Sequence, residues 1–225
     1  MGEAMNRIIH GDCREVLKTL PDSSVDFVLT DPPYFVRYRD RSGRSLANDR
    51  AGDVQQTLAA FADIYRVLKP DALCVCFYGW QAVDAFMQAW KAAGFTPVDH
   101  IVWRKRYASS MRFMKRTHEQ AYVLAKGRPS VPREPPADVQ PWTYTGNHGH
   151  PTEKAVETLK PVVEAFTEPG HVLLDPFAGS GSSLVTAALL QRRYIGVELD
   201  QKYCLLAEKR LAGVARHMRT LPKHG

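Results

Sequence analysis

A chain of 225 residues with 44% hydrophobic and 24% charged side chains is long enough for one sizeable core and too apolar for a disordered segment. Thirty Lys and Arg against 24 Asp and Glu leave a net charge of +6, which favours a partner rich in negative charge. No apolar run approaches a membrane span, the amino terminus lacks the apolar core of a secretion signal, and the four cysteines lack zinc spacing, so a cytosolic protein without a metal is expected.

Residues 7–10 read as a first short strand and 14–20 as a helix, joined by Gly11-Asp12-Cys13. The apolar run Val25-Asp26-Phe27-Val28-Leu29-Thr30 reads as a second strand, and it ends in Asp31-Pro32-Pro33-Tyr34. That tetrapeptide suits the exocyclic amine of a base, whose lone pair is delocalised into the ring. A site that accepts hydrogen bonds from both amino hydrogens opposes the delocalisation: the Asp31 carboxylate takes one and the Pro32 carbonyl the other. Pro33 stiffens the turn, and Tyr34 offers a flat face on which an extruded base can stack. Read alone, the same four residues are also a plausible strand-ending turn.

Arg37, Arg39, Arg41, Arg44 and Arg50 crowd the loop that follows, interleaved with Tyr38, Ser42 and Asn48. A helix over 54–68, stopped at Lys69-Pro70, leads to a strand over 72–78 in which Cys74 and Cys76 face the same side as buried thiols. A helix over 81–93 ends at Gly94-Phe95, and strands near 96–103 and 120–125 are expected to form an antiparallel edge. Between those strands lies a second basic cluster, Arg104-Lys105-Arg106 with Tyr107, Arg112, Lys115 and Arg116. Both clusters are expected at the mouth of the site, holding the phosphates of a bent or flipped strand. The Pro-rich stretch 129–141 reads as an irregular loop.

His148-Gly149-His150 lacks a second pair of ligands, so it is not read as a metal site. A helix is expected over 154–167, then a buried strand over 171–174 that runs into Asp175-Pro176-Phe177-Ala178-Gly179-Ser180-Gly181-Ser182-Ser183 and a helix over 182–191. Glycines at alternate positions let the backbone turn tightly against a ligand, and the helix amino terminus favours an anion. A strand over 194–197 ends in Glu198, 17 residues after Gly181, where a carboxylate can bond both hydroxyls of a ribose; a helix over 201–215 closes the pattern. Together these features describe a pocket for a nucleoside-containing cofactor with a charged tail. A dinucleotide fails the test of the third glycine, whose place is taken by Leu184.

With these motifs in place, the chain resembles the β group of DNA amino-methyltransferases over most of its length. Four segments carry the likeness: Asp31 to Tyr34; His150-Pro151-Thr152-Glu153-Lys154; Asp175 to Ser183; and Tyr194-Ile195-Gly196-Val197-Glu198-Leu199-Asp200 with Tyr203, Arg210 and Leu211 beyond. Their order, with the catalytic tetrapeptide first and the glycine loop near the end, is the circular permutation of that group. The resemblance implies an α/β, Rossmann-like class I methyltransferase fold, with a mixed seven-stranded sheet and helices on both faces. It also implies one domain with small target-recognition insertions at about 35–52 and 105–147.

S-Adenosylmethionine is the cofactor the resemblance implies, and double-stranded DNA the substrate, with methyl transfer to adenine N6 by base flipping. Asp12, with Cys13 beside it, would contact the adenine amine of the cofactor, although Asp12 equally reads as a helix N-cap. His150, Pro151, Thr152 and Lys154 would close over the methionine end, with Lys154 attracting its carboxylate and Thr152 capping the helix; Ala155 stands where a proline is usual. Asp31, the loop from Asp175 to Ser182, Glu198 and Leu199 would complete the cofactor contacts. Arg37, Tyr38, Arg39, Arg41, Arg44, Arg104, Lys105, Arg106, Tyr107, Arg112, Lys115 and Arg116 would face DNA. A symmetric homodimer reading a duplex in two halves follows from the same likeness. Cytosine N4 poses the same electronic problem, but the family's cytosine enzymes usually carry Ser in the first position of the tetrapeptide, so Asp31 favours adenine. The same motifs would also suit an RNA adenine methylase or a catalytically silent nucleic-acid-binding module.

Overall fold

Alternate residues of the central strands face opposite cores, and this period-two split organises the molecule. The computed structural model describes residues 5–34, 54–111, 113–143 and 154–220. In β2 (Val25–Thr30), Val28 points to one core while Phe27 and Leu29 point to the other. Cys74 and Cys76 are likewise opposed to Val75 and Phe77 in β3 (Leu68–Phe77), and Leu174 to Leu173 in β9 (Val172–Asp175). Strands buried on both faces need helices on both. α1 (Cys13–Lys18), α2 (Val54–Val67) and α3 (Val83–Ala93) cover the first core with Leu17, Phe61, Ile64 and Trp90. α4 (Val156–Phe166), α5 (Ser182–Leu189) and α6 (Gln201–Thr220) cover the second with Leu159, Val162, Leu184 and Leu211. Burying a side chain such as Phe27 or Leu29 contributes about 2 kcal/mol.

The remaining strands are β1 (Arg7–His10), β4 (Thr96–Arg104), β5 (Ser110–Met111), β6 (Lys115–Arg116), β7 (His118–Lys126), β8 (Val139–Pro141) and β10 (Arg193–Glu198). The main sheet runs β1-β10-β9-β2-β3-β7-β4-β8. Its first five strands are parallel, and β7 runs antiparallel to both β3 and β4. β9 and β2 are neighbours, as the permuted motif order requires. From β2 the chain crosses to β3 on one side, and from β9 to β10 on the other. The switch point of the sheet therefore falls between them, where open α/β sheets bind ligands at the carboxyl ends of their strands.

Three details depart from the sequence reading. The sheet has eight strands among the described residues rather than seven, because the Pro-rich stretch contributes β8 at the edge. There Val102 N–H donates to Asp138 O at 2.7 Å and Trp142 N–H to Arg104 O at 3.0 Å, while Pro141 lies on an edge strand, where a missing donor is tolerated. The stretch 105–147 is not one insertion, since β7 returns through it to a place between β3 and β4, with Ala121, Val123, Leu124 and Ala125 buried. α4 begins at Val156 with Ala155 in the N-cap position and no side-chain cap, so Thr152 is not the cap; Ala155 has the extended backbone that the position needs. Gly94 does end α3, in the left-handed conformation at φ 104°. All four cysteines are buried free thiols. Among the described residues no helix is long and apolar enough to cross a membrane.

Candidate active site

The carboxyl ends of four strands deliver the expected motifs to one edge of the sheet. Asp31 leaves β2, Asp175 ends β9, Glu198 ends β10, and Gly11-Asp12 follows β1. The register pairs His10 with Glu198, and Gly11 N–H donates to Glu198 O at 2.9 Å, which brings the Asp12 loop beside the acidic end of β10.

Asp31 is the centre of a small polar cluster. One carboxylate oxygen accepts the Tyr34 hydroxyl at 2.7 Å, and the other is ion-paired with the Lys154 ammonium. Lys154 is 7% exposed, and its ammonium stands 4.2 Å from the centre of the Phe77 ring at the end of β3. Lys154 lies two residues ahead of α4, and that placement lets it reach Asp31, 123 positions away. Each Asp31 oxygen takes one donor, and a carboxylate has about four acceptor positions, so acceptor capacity remains for an incoming amine hydrogen. Pro32 is buried, while Pro33 and Tyr34 are half-buried.

The glycine loop is held from three directions. Gly179 and Gly181 adopt φ of 52° and 79°, and Gly181 is the N-cap of α5. A Cβ on Gly181 would stand 2.8 Å from the Cβ of Ala207 in α6, so the loop and that helix approach as closely as glycine permits. Arg210 of α6 donates to Ser180 O at 2.7 Å and to the Ser180 hydroxyl at 2.9 Å, bracing the loop from below. Asp175 turns inward: it accepts the Ser183 hydroxyl and the Phe177 N–H, the latter at 3.1 Å. Burial pushes its carboxyl up to about 6 despite those donors, and its hydrogen bonds to Ser183 and Phe177 brace the start of the loop.

Glu198 accepts Gly179 N–H at 2.8 Å on one oxygen and Asp200 N–H at 2.7 Å on the other. Burial raises its pKa, and the two backbone donors pull in the opposite direction. Each oxygen keeps a lone pair for a hydroxyl, so the carboxylate is oriented for a vicinal diol without being spent. Asp12 is the N-cap of α1, accepting Arg14 N–H at 2.9 Å, and it also pairs with the Arg14 guanidinium at 2.5 Å. Those bonds lower its pKa, the Arg14 side chain being the largest cause. The Cys13 thiol is pushed up to about 12 by burial and stays neutral. Leu199 is partly exposed, and its carbonyl contacts His10 Nε2 at 3.1 Å.

Arg104, the last residue of β4, and Arg106, Tyr107, Lys115 and Arg116 beyond it are exposed. Lys105 is not: it is 6% exposed, paired with Glu119, and stands 5.2 Å from the Trp142 ring centre, so its charge is used internally and it leaves the phosphate-binding set. Arg37, Tyr38, Arg39, Arg41, Arg44, Arg112, His150, Pro151 and Thr152 lie outside the described residues. Among the described residues no group of three His, Cys, Asp or Glu side chains could hold a metal ion.

Two contributors escape a reading of the sequence. Phe77 faces Lys154, and Gly79 packs so closely under Tyr34 that an added Cβ would meet the Tyr34 Cβ at 2.8 Å. The available signal was a glycine set among Phe77, Tyr78 and Trp80 at a strand end, a composition that marks close backbone approach.

Comparison with known proteins identifies the family and supports the fold. A family of DNA methylases, of the N6/N4 type, matches residues 25–209. YubD of Escherichia coli (strain K12), named as a methylase, is 52% identical over 214 residues, covering 95% of this chain and 93% of that protein. Among solved structures, the complex of M1.HpyAVI with SAM superposes with a TM-score of 0.70 at 24% identity, covering 91% of this chain and 98% of its own. The cytosine-N4-specific PvuII DNA methyltransferase gives 0.73 at 17% identity, covering 93% and 89%.

Proposed function

The chain belongs to the N6/N4 family of DNA methylases, and within that family we propose that it methylates the N6 amine of adenine in duplex DNA, using S-adenosylmethionine. The observation that carries the reading is the adjacency of β2 and β9, which sets Asp31 and the glycine loop side by side at the switch point. The cofactor supplies, when bound, a methyl group activated on a sulfonium. The residues present fit it. Gly179 and Gly181 allow close backbone approach, and Glu198 keeps acceptor capacity for ribose hydroxyls. Asp12 follows the neighbouring strand and would be the carboxylate offered to a nucleobase amine.

Asp31 and the Pro32 carbonyl accept the amine hydrogens of the target, turning the nitrogen lone pair outward and stabilising the positive charge that develops on it. Lys154, buried against Asp31, balances the charge of that carboxylate in the free site and would be the cation offered to the carboxylate tail of the cofactor. A base stacked in a duplex does not reach a half-buried carboxylate at a sheet edge, so the target is extruded onto Tyr34. The exposed Arg104, Arg106, Lys115 and Arg116, with the arginines of residues 35–52, hold phosphates. Two copies related by a twofold axis read the two halves of a duplex site; light scattering on and off DNA checks this, and a monomer in both states counts against it.

The deciding experiment is mass spectrometry of nucleosides from unmethylated duplex DNA and RNA after incubation with isotope-labelled S-adenosylmethionine. Labelled N6-methyladenine from DNA alone is expected. Asp31→Ala is expected to abolish labelling while calorimetry still detects cofactor binding. N4-methylcytosine would overturn the choice of base, label in RNA alone the choice of polymer, and no label the enzymatic reading.

A further inference from the structure

β5 and β6 take no part in the main sheet; they form a two-stranded ribbon, pairing Ser110 with Arg116 and Met111 with Lys115. A ribbon this short is marginal by itself, and its base is tied down. Ser109 N–H donates to Arg116 O at 2.9 Å, Lys105 N–H donates to Thr117 O at 2.7 Å, and the ion pair of the buried Lys105 with the half-buried Glu119 lies at its root. The Arg116 guanidinium lies 5.3 Å from the Trp80 ring centre, and Trp80 follows Gly79, which packs under Tyr34. The ribbon therefore stands over the same end of the sheet as the candidate active site.

Its free end, which also contains Arg112, exposes three large apolar side chains. Met111, Phe113 and Met114 are 70%, 103% and 78% exposed, an unusual concentration of large apolar side chains in water for so short a segment. Residues 104–118 contain six Arg and Lys and no Asp or Glu. Like charge opposes self-association of two such tips, whereas a duplex offers phosphates to the basic flanks and apolar base faces to the end. Enzymes that extrude a base leave a gap in the stack, and apolar side chains between base steps are an established way of entering one.

We propose that the tip of this ribbon, Phe113 with Met114 beside it, enters the duplex at the target step and occupies the space left by the extruded base. The proposal rests on the DNA-methylating reading above and extends it to how the duplex is opened. Phe113 makes no contribution to the core, so its replacement leaves the fold intact.

The test uses duplex oligonucleotides carrying the target sequence mapped with the wild-type enzyme on amplified, unmethylated DNA. One duplex has the normal partner strand, and the other an abasic position opposite the target, where the pair is already broken. Phe113→Ala is expected to lower kcat/KM on the normal duplex about ten-fold and on the abasic duplex by less than about three-fold, because only the first requires the gap to be opened and held. Phe113→Trp is expected to retain most of the rate, and cofactor affinity and oligomeric state are expected to be unchanged in both variants. Full activity of Phe113→Ala on the normal duplex, or equal losses on both, overturns the wedge alone. Loss of a dimer on Phe113→Ala assigns the tip to self-association and also overturns it. A wild-type enzyme that labels no DNA overturns the functional reading and the wedge with it.

Discussion

Asp175 shows how one buried side chain serves the site and costs stability. Its carboxyl, raised by burial from an ordinary 3.8 to about 6, prefers the proton in the folded state more than in the unfolded one. A raised acid contributes stability that is fully present below its unfolded value and is lost as pH rises through its folded value. Urea unfolding between pH 7.5 and pH 5 is therefore expected to show a gain of about 1 kcal/mol toward the acid side from this group. Asp175→Asn is expected to remove that increment, and an unchanged pH profile in the variant would assign it to other groups. The same burial and the Ser183 and Phe177 donors fix the first turn of the glycine loop, so the energetic cost and the geometric service share one origin.

Among the secondary-structure elements, the catalytic turn depends on the strand beside it. Gly79 follows β3, and its missing side chain allows the backbone after Phe77 to lie against Tyr34. Gly79 has an ordinary φ of −81°, so alanine there brings no backbone strain, only a Cβ 2.8 Å from the Tyr34 Cβ. Gly79→Ala is expected to push Tyr34 aside and lower turnover on DNA by at least about ten-fold while lowering stability by only about 1–2 kcal/mol. Paired thermal melts and single-turnover rates check this; full turnover in the variant would show that Tyr34 tolerates displacement. Sequence patterns locate both ends of this contact as strand termini but carry no information on their packing, because the pairing of β2 with β3 sets the close approach. The start of α4 likewise differs from its local pattern: Thr152 has the better capping chemistry, yet the helix begins at Val156 with the uncapped Ala155, and the Lys154–Asp31 ion pair lies just before that start.

For the molecule taken together, the net charge of +6 acts through where it sits. Arg104 at the end of β4 and Arg106, Lys115 and Arg116 between β4 and β7 are exposed, while Lys105 from the same run is buried against Glu119 and Trp142. If those four exposed groups each neutralise one phosphate, they contribute about −4 to the slope of log affinity against log salt. Arg106→Ala is expected to make the slope shallower by about 1, and Lys105→Ala to leave it unchanged while lowering the melting temperature. Fluorescence anisotropy across about 50–200 mM salt measures both slopes. A Lys105→Ala slope that falls as far as that of Arg106→Ala would place Lys105 on the DNA.

Local chemistry and its order along the chain were legible from the residues alone. The tetrapeptide after an apolar strand, the alternate glycines before a helix, and Glu198 at the end of the next strand are each specified within a few residues, where turn geometry and side-chain type suffice. The apolar run at 25–30 and the buried strand at 171–174 were legible as such, whereas the burial of β3 on both faces came only with its place in the sheet. Which of these groups meet was settled by the packing of the folded chain. Lys154 pairs with Asp31 across 123 positions, Lys105 turns inward from a run that reads as a basic surface, β8 forms from a Pro-rich stretch by pairing with the free edge of β4, and the apolar ribbon tip stays in water. Those outcomes depend on strand neighbours and on competition for burial between distant segments, which no local pattern encodes.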